Sequence, residues 1–257
     1  MNATAKALVA LCLAFAARAW GEGNGQGAAR AALASSSIPA EAKASIRAGI
    51  DAGGGDFEAL LDQALAERAA DSMLLYRVDK VKALPEGFVP PDLVALDGTG
   101  LSVSRPGHRL RAAALKALEA MNSAAKAEGV TLLVSSAYRS YEYQAEVWDR
   151  GVKGEGVAAT ETSVARPGHS QHQLGTAVDF GSITDAFADT KAGRWLSANA
   201  RRFGFSLSFP KGMSEATGYK WESWHYRYIG KAAAALEERY FDGVQQYLML
   251  FLDELKG

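Results

Sequence analysis

Only one cysteine occurs in the 257 residues, Cys12, and it lies near the start of the chain. A disulfide framework needs pairs and a thiolate zinc site needs several cysteines, so neither can hold this protein together. Charge of one sign is equally scarce: 28 basic residues face 29 acidic ones, for a formal charge of −1. Nucleic acids and anionic lipid surfaces are met by strongly basic faces, so neither is an expected partner. Long apolar runs are missing too. The stretch Ala7–Ala16 is about half of the roughly twenty residues that a membrane helix requires, so stable membrane insertion is not expected.

That short run has another use. Lys6 gives it a positive start and Ala17-Arg18-Ala19 follows as a small-x-small cleavage site, the pattern of an export signal over residues 1–19. A buried helix is the competing use, open only to a chain that stays inside the cell. Cys12 falls within the signal, and Leu11 stands before it where a lipid-anchor site needs a small residue. Cleavage would remove Lys6 and Arg18, leaving 26 basic residues against 29 acidic ones in a periplasmic or secreted protein without cysteine. With 48% apolar and 22% charged residues the remainder is ordinary globular sequence.

Residues 20–72 read as a glycine-rich leader and a helical extension that carry no chemical motif. One helix is predicted from Ala40 to Ala52 after Ser37-Ile38-Pro39, and a second after Gly53–Gly55, where Phe57, Leu60, Leu61, Ala64 and Leu65 recur at helical spacing. From residue 73 the texture changes, and 73–257 is expected to be a second domain, the one that holds the chemical motifs below, with a C-terminal helix. Its predicted elements are a strand at Leu74–Val78, a helix at Arg109–Glu128, a buried strand at Val130–Val134 and a helix at Tyr141–Arg150. Beyond a loop at Gly151–Gly168, long enough to be a lid or rim, come a strand at Ala177–Phe180 and a helix at Lys191–Phe203. Strands near Phe205–Phe209 and Trp224–Ile229 and a closing helix from Gly230 to about Leu255 complete the reading. The fold expected is α+β: a small, mainly antiparallel sheet bearing a metal site, packed against helices, with an N-terminal helical extension. A monomer is expected.

Three stretches carry chemistry. In Ser170-Gln171-His172-Gln173-Leu174-Gly175-Thr176-Ala177-Val178-Asp179 an imidazole and a carboxylate offer the nitrogen and oxygen donors that zinc accepts. On a strand, Ala177 and Asp179 would share one face while Val178 and Phe180 anchor the other. A His and an Asp seven apart are, taken alone, more often a hydrogen-bonded structural pair. In Glu222-Ser223-Trp224-His225 a second imidazole arrives with a glutamate that can take a proton from water and pass it to a leaving amine. Residues three apart on a straight strand face opposite ways, so these two can meet one metal only if the chain bends at Ser223. In Ser135–Gln144, Arg139 offers a fixed charge and a fork of donors suited to an oxyanion or a carboxylate, although a lone loop arginine is usually a surface ion-pair former. His108 reads as a surface residue at a helix start, and His169 has no partner at ligand spacing.

Taken together and in this order, the three stretches resemble the D-Ala-D-Ala carboxypeptidases of the VanY type, in the zinc peptidase group that also holds the VanX dipeptidases and the L-alanyl-D-glutamate endopeptidases. The pattern Ser-x-His-x-x-Gly-x-Ala-x-Asp is met by Ser170, His172, Gly175, Ala177 and Asp179; Glu-x-Trp-His by Glu222, Trp224 and His225; and Tyr-Arg-Ser-x-x-x-Gln by Tyr138, Arg139, Ser140 and Gln144. Ser223 stands where relatives often carry proline and Ala137 where glycine is frequent; neither change replaces a reacting group. The resemblance runs from about Leu74 to Lys231. It implies Zn2+ held by His172, Asp179 and His225, Glu222 as general base and acid, Arg139 as oxyanion stabiliser, and Ser170, Ser136, Tyr138 and Gln144 in contact with the peptide. The activity implied is removal of the terminal D-alanine from peptidoglycan stem peptides. L-Ala-D-Glu endopeptidase, D-Ala-D-Ala dipeptidase and a catalytically dead wall-binding module stay open as alternatives.

Overall fold

A computed structural model describes residues 25–255; the expected export signal and Cys12 lie outside the described residues. Two apolar cores organise the chain. The first joins its two ends. Helix α1 (Gly25–Ser35) and helix α2 (Ala40–Ala70) pack against α6 (Lys231–Tyr240) and α7 (Gln245–Glu254), through Leu33, Ile46, Ile50, Phe57, Leu236, Phe241 and Phe251. Pro39 starts α2 as predicted, and the two expected helices are both present within this span, separated at Gly54, whose backbone (φ 48°, ψ −127°) leaves the helical region inside the predicted Gly53–Gly55 break. Helix α1 was not anticipated, because its alanines and glycines show no strong periodicity.

The second core lies under the sheet. Strands β2 (Ser102–Val103), β4 (Leu133–Ser136), β5 (Ala177–Phe180), β7 (His225–Tyr228) and β6 (Phe205–Leu207) lie side by side in that order. β2 and β4 run parallel and every other pair antiparallel, so the mainly antiparallel sheet predicted is present. Val134, Val178, Phe180 and Tyr226 face α3 (Ala112–Ala127) and α5 (Lys191–Asn199), where Leu115, Leu118, Met121, Trp195 and Leu196 are buried. A separate ribbon pairs β1 (Leu93–Ala95) with β3 (Arg109–Arg111).

Several predicted elements change. Leu74–Val78 forms turns and irregular chain, with no strand. Its backbone carbonyls at Leu74 and Tyr76 are taken by the buried guanidinium of Arg227 (2.9 and 2.8 Å), so they are not free for a ladder. The long helix expected from Arg109 begins only at Ala112, because Arg109–Arg111 pair with β1 and Arg111 is pinned by Asp71 and Asp92. Helix α4 (Tyr141–Glu155) runs five residues into the expected loop, and a helical turn follows at Val157–Thr160. The closing helix is two helices, α6 and α7, broken where Asp242 and Gly243 both take positive φ (54° and 66°) and Gly243 N–H caps Glu237. His108, expected at the surface, is buried against Ser104 (3.2 Å).

Candidate metal centre and active site

Four stretches bring the site together at the level of Asp179, on the face of the sheet opposite the core-facing Val178 and Phe180. Ser170 caps the 3-10 turn Gln171–Leu174 by accepting from the His172 N–H (3.2 Å), which holds His172 at the turn's start. Gly175 ends that turn at φ 70°, and a Cβ there would lie 2.9 Å from Arg111 and Leu93, so only glycine passes between turn and strand. β5 then carries Asp179 directly opposite His225 on β7. The bend required at Ser223 is present: the chain turns there, with the His225 N–H donating to the Glu222 carbonyl (3.2 Å), and Glu222 Oε2 comes within 3.7 Å of His225 Nδ1.

His172, Asp179 and His225 are all buried, and one donor atom from each lies within 4.8 Å of the others. His172 Nδ1–H donates to the Ala137 carbonyl (2.7 Å), which leaves the lone pair of Nε2 facing Asp179 Oδ2 at 3.2 Å. Burial, reinforced by the charge of Arg139, pushes His172 down to about 4, so the ring is neutral at physiological pH. Asp179, although buried, is held well below the usual carboxylate range and is ionised, with the Arg139 guanidinium 2.8 Å from its Oδ2. A neutral imidazole and an ionised carboxylate thus present lone pairs to one another across a buried gap, an arrangement that a cation between them makes favourable. Two nitrogens and one oxygen are a donor set that zinc takes while keeping a further position for water or substrate.

Arg139 reaches the same point from the mouth of β4. Its Nη2 donates to Asp179 Oδ2 (2.8 Å), its Nε to Ser136 Oγ (3.0 Å) and its Nη1 to Gln144 Oε1 (3.4 Å), while Gln144 Nε2 is tied to the Ala165 carbonyl (2.8 Å). Glu222 is buried among Phe209, Tyr219 and Trp224, and burial first, the Asp179 charge second, raise it well above the carboxylate range against the pull of Arg139. These groups line an open cleft of about 730 Å³. A shallower, more open hollow with Ser104, Arg105 and Ser136 adjoins it at Arg139.

Of the predicted substrate contacts, Ser170 and Gln144 line the main cleft and Ser136 the adjoining hollow, whereas Tyr138 lines neither. His169 lines the cleft but spends Nδ1 on the Asp79 carbonyl (2.7 Å). Sequence reasoning passed over Phe209 and Tyr219, which wall the cleft, and Gln171, whose Oε1 lies 3.1 Å from His225 Nε2. Residue type offered no signal for them, since an aromatic or a glutamine in a buried stretch has many uses.

Comparison with known proteins agrees with this geometry. Residues 107–231 match the family described as VanY, D-alanyl-D-alanine carboxypeptidase. A putative carboxypeptidase of Bacillus subtilis strain 168, YodJ, is 37% identical over 187 residues, 67% of this chain and 68% of that protein. Among solved structures, the LdcB LD-carboxypeptidase superposes with a TM-score of 0.63 at 34% identity, covering 71% of this chain and 87% of the other. A zinc complex of a mutant VanY D,D-pentapeptidase from a VanB-type vancomycin resistance cassette superposes with a TM-score of 0.56 at 36% identity, covering 68% of this chain and 99% of the other.

Proposed function

We propose, from the premise that this chain belongs to the VanY family of D-alanyl-D-alanine carboxypeptidases and is a zinc metallopeptidase, that it removes the terminal D-alanine of peptidoglycan stem peptides. The observation that carries the reading is the convergence of His172, Asp179 and His225 beside a buried Glu222 and a fixed Arg139.

In this reading His172 Nε2, Asp179 and His225 Nδ1 hold the metal. Bound zinc supplies a Lewis acid that polarises a carbonyl and lowers the pKa of water toward about 7. Glu222 takes the proton of the attacking water. Its environment disfavours the carboxylate, so the proton it gains is then held for the departing amine. No covalent enzyme intermediate is required. Arg139, braced by Ser136 and Gln144, directs its guanidinium at the oxygen that gains negative charge. Phe209, Tyr219 and Trp224 restrict water on the Glu222 side, which strengthens each of these charge interactions. Ser170, Ser136 and Gln144 are assigned to the peptide end; Tyr138, which lines neither the cleft nor the hollow, is left out of that set. Export is part of the proposal and rests on Lys6, the Ala7–Ala16 run and Ala17-Arg18-Ala19; among the described residues no helix is long and apolar enough to cross a membrane.

The similarity to an LD-carboxypeptidase favours one second reading, cleavage after an L-configured centre in a stem tetrapeptide. Incubating the zinc-loaded protein with a stem pentapeptide ending in D-Ala-D-Ala, and separately with the tetrapeptide, decides between them by mass spectrometry of the products. Loss of one alanine from the pentapeptide alone is expected. Loss from the tetrapeptide alone selects the second reading, and cleavage of neither removes both.

A further inference from the structure

We infer that Gln171, Ser208 and Gln245 form a closed ring of hydrogen bonds that fixes which nitrogen of His225 faces the metal, making the last helix of the chain part of the metal centre. The inference rests on the ligand set proposed above. Gln171 Nε2 donates to Gln245 Oε1 (3.1 Å), Gln245 Nε2 donates to Ser208 Oγ (3.3 Å), and Ser208 Oγ donates to Gln171 Oε1 (2.7 Å). The same Gln171 oxygen lies 3.1 Å from His225 Nε2, and because an amide oxygen can only accept, it pairs with the ring when Nε2 carries the proton. Ser208 and Gln245 are each 2% exposed, His225 4% and Gln171 9%, so solvent has little access to replace any member.

The ring has a direction, and the direction carries the consequence. Ser208 has one proton and spends it on Gln171, and Gln171 spends its amide protons on Gln245, so the oxygen of Gln171 is the atom left for His225. A proton on Nε2 leaves Nδ1 with its lone pair, 2.9 Å from Asp179 Oδ1, where the other donors converge. Reversing the ring would turn an NH2 group toward His225, force Nε2 to accept, and move the proton to Nδ1. That nitrogen could then no longer bind a metal. Such partners of a ligating histidine set its tautomer and orientation in metal sites generally.

The ring also joins parts of the molecule that lie far apart in the sequence. Gln171 opens the turn that carries His172, Ser208 follows β6 and binds the His225 carbonyl through its own N–H (3.2 Å), and Gln245 is the first residue of α7. The remainder of α7 belongs to the core it shares with α1 and α2. Gln245 is thus where that helical layer touches the reaction centre, beyond residues 107–231 of the family match.

Zinc affinity tests the inference apart from turnover. Competition with a chromophoric chelator, alongside thermal unfolding of each metal-free protein, is expected to show folded Gln171→Leu and Gln245→Leu variants binding zinc about 10–100-fold more weakly than wild type. Gln171→Glu keeps an acceptor for His225 and is expected to stay within about threefold of wild type, since the outer partner survives. In nitrogen NMR of the zinc-loaded wild type, His225 is expected to carry its proton on Nε2; a proton on Nδ1 overturns the inference even if the leucine variants fail to fold. Wild-type affinity in both leucine variants, with affinity lost in His225→Ala, refutes the ring alone. Wild-type affinity in all three refutes the ligand set as well.

Discussion

Replacing Glu222 by glutamine separates proton transfer from everything else the residue does. The amide has the shape of the carboxyl and needs no charge in this buried place, where burial first and the Asp179 charge second work against ionisation. Stability should therefore hold or rise slightly, and the zinc ligands, none of which is Glu222, should bind as before. Proton transfer by a positioned side chain contributes about 10²–10⁴-fold, which corresponds to about 3–5 kcal/mol of barrier at about 1.4 kcal/mol per decade. The buried placement of Glu222 3.7 Å from His225 Nδ1 leaves little room for a bulk-water substitute, so the upper half of that range is expected. The assay is kcat/KM on the stem pentapeptide with zinc content measured by atomic absorption and the unfolding midpoint in parallel. A Glu222→Gln protein that carries zinc, melts like wild type and keeps more than about a tenth of the activity would remove Glu222 from the mechanism.

His172→Ala, Asp179→Asn and His225→Ala are each expected to copurify with less than stoichiometric zinc, and a strong chelator to abolish wild-type activity that added zinc restores; full zinc content in any of the three strikes that residue from the ligand set. Asp79 accepts from the N–H groups of Val81 and Lys82, from Gln246 and from Arg77, and these hold its carboxyl below the usual range against burial. A depressed folded-state pKa gives stability that is complete above the unfolded value of about 3.9 and is lost as pH falls through the folded one. Urea titrations should accordingly show wild type above Asp79→Asn at pH 6 with the gap closing below about pH 4, whereas a constant gap would contradict the assignment. At Gly193 an added Cβ would stand 2.1 Å from the Phe187 carbonyl oxygen; Gly193→Ala should cost about 1–3 kcal/mol in denaturant titrations, and a neutral result would mean that this turn yields freely. Expressed with its leader, the secreted protein should begin at Trp20 by intact-mass measurement; an N-terminus at Met1 would end the export reading.

Strands with strong alternation and helices with strong amphipathic stripes were legible, since Val178 and Phe180 or Leu115, Leu118 and Met121 have a single face to bury. The adjacency of His172 and Asp179 could be read because turn, glycine and strand follow one another within ten residues. Gln171 could not be read in the same way. Its partners Ser208 and Gln245 lie 37 and 74 residues further on, and no local pattern encodes a contact closed by the fold as a whole. Leu74–Val78 failed for a related reason: its β-rich composition matched a strand, but the group that takes its carbonyls, Arg227, comes more than 150 residues later. The break after Tyr240 did have a local signal, Asp242-Gly243, which the apolar periodicity on either side concealed.

The first core has a consequence for how the protein is made. Its walls come from residues 29–75 and 229–255, so α1 and α2 have only each other to close on until residues 229–255 have been made. Residues 96–226, with a core of their own, can condense earlier. The nascent chain therefore carries an apolar surface on α1 and α2 for most of its synthesis, and a chain cut short before Gln245 would cover it with α6 alone and leave bare the part that Leu248, Phe251 and Leu252 close, a target for chaperones and proteases.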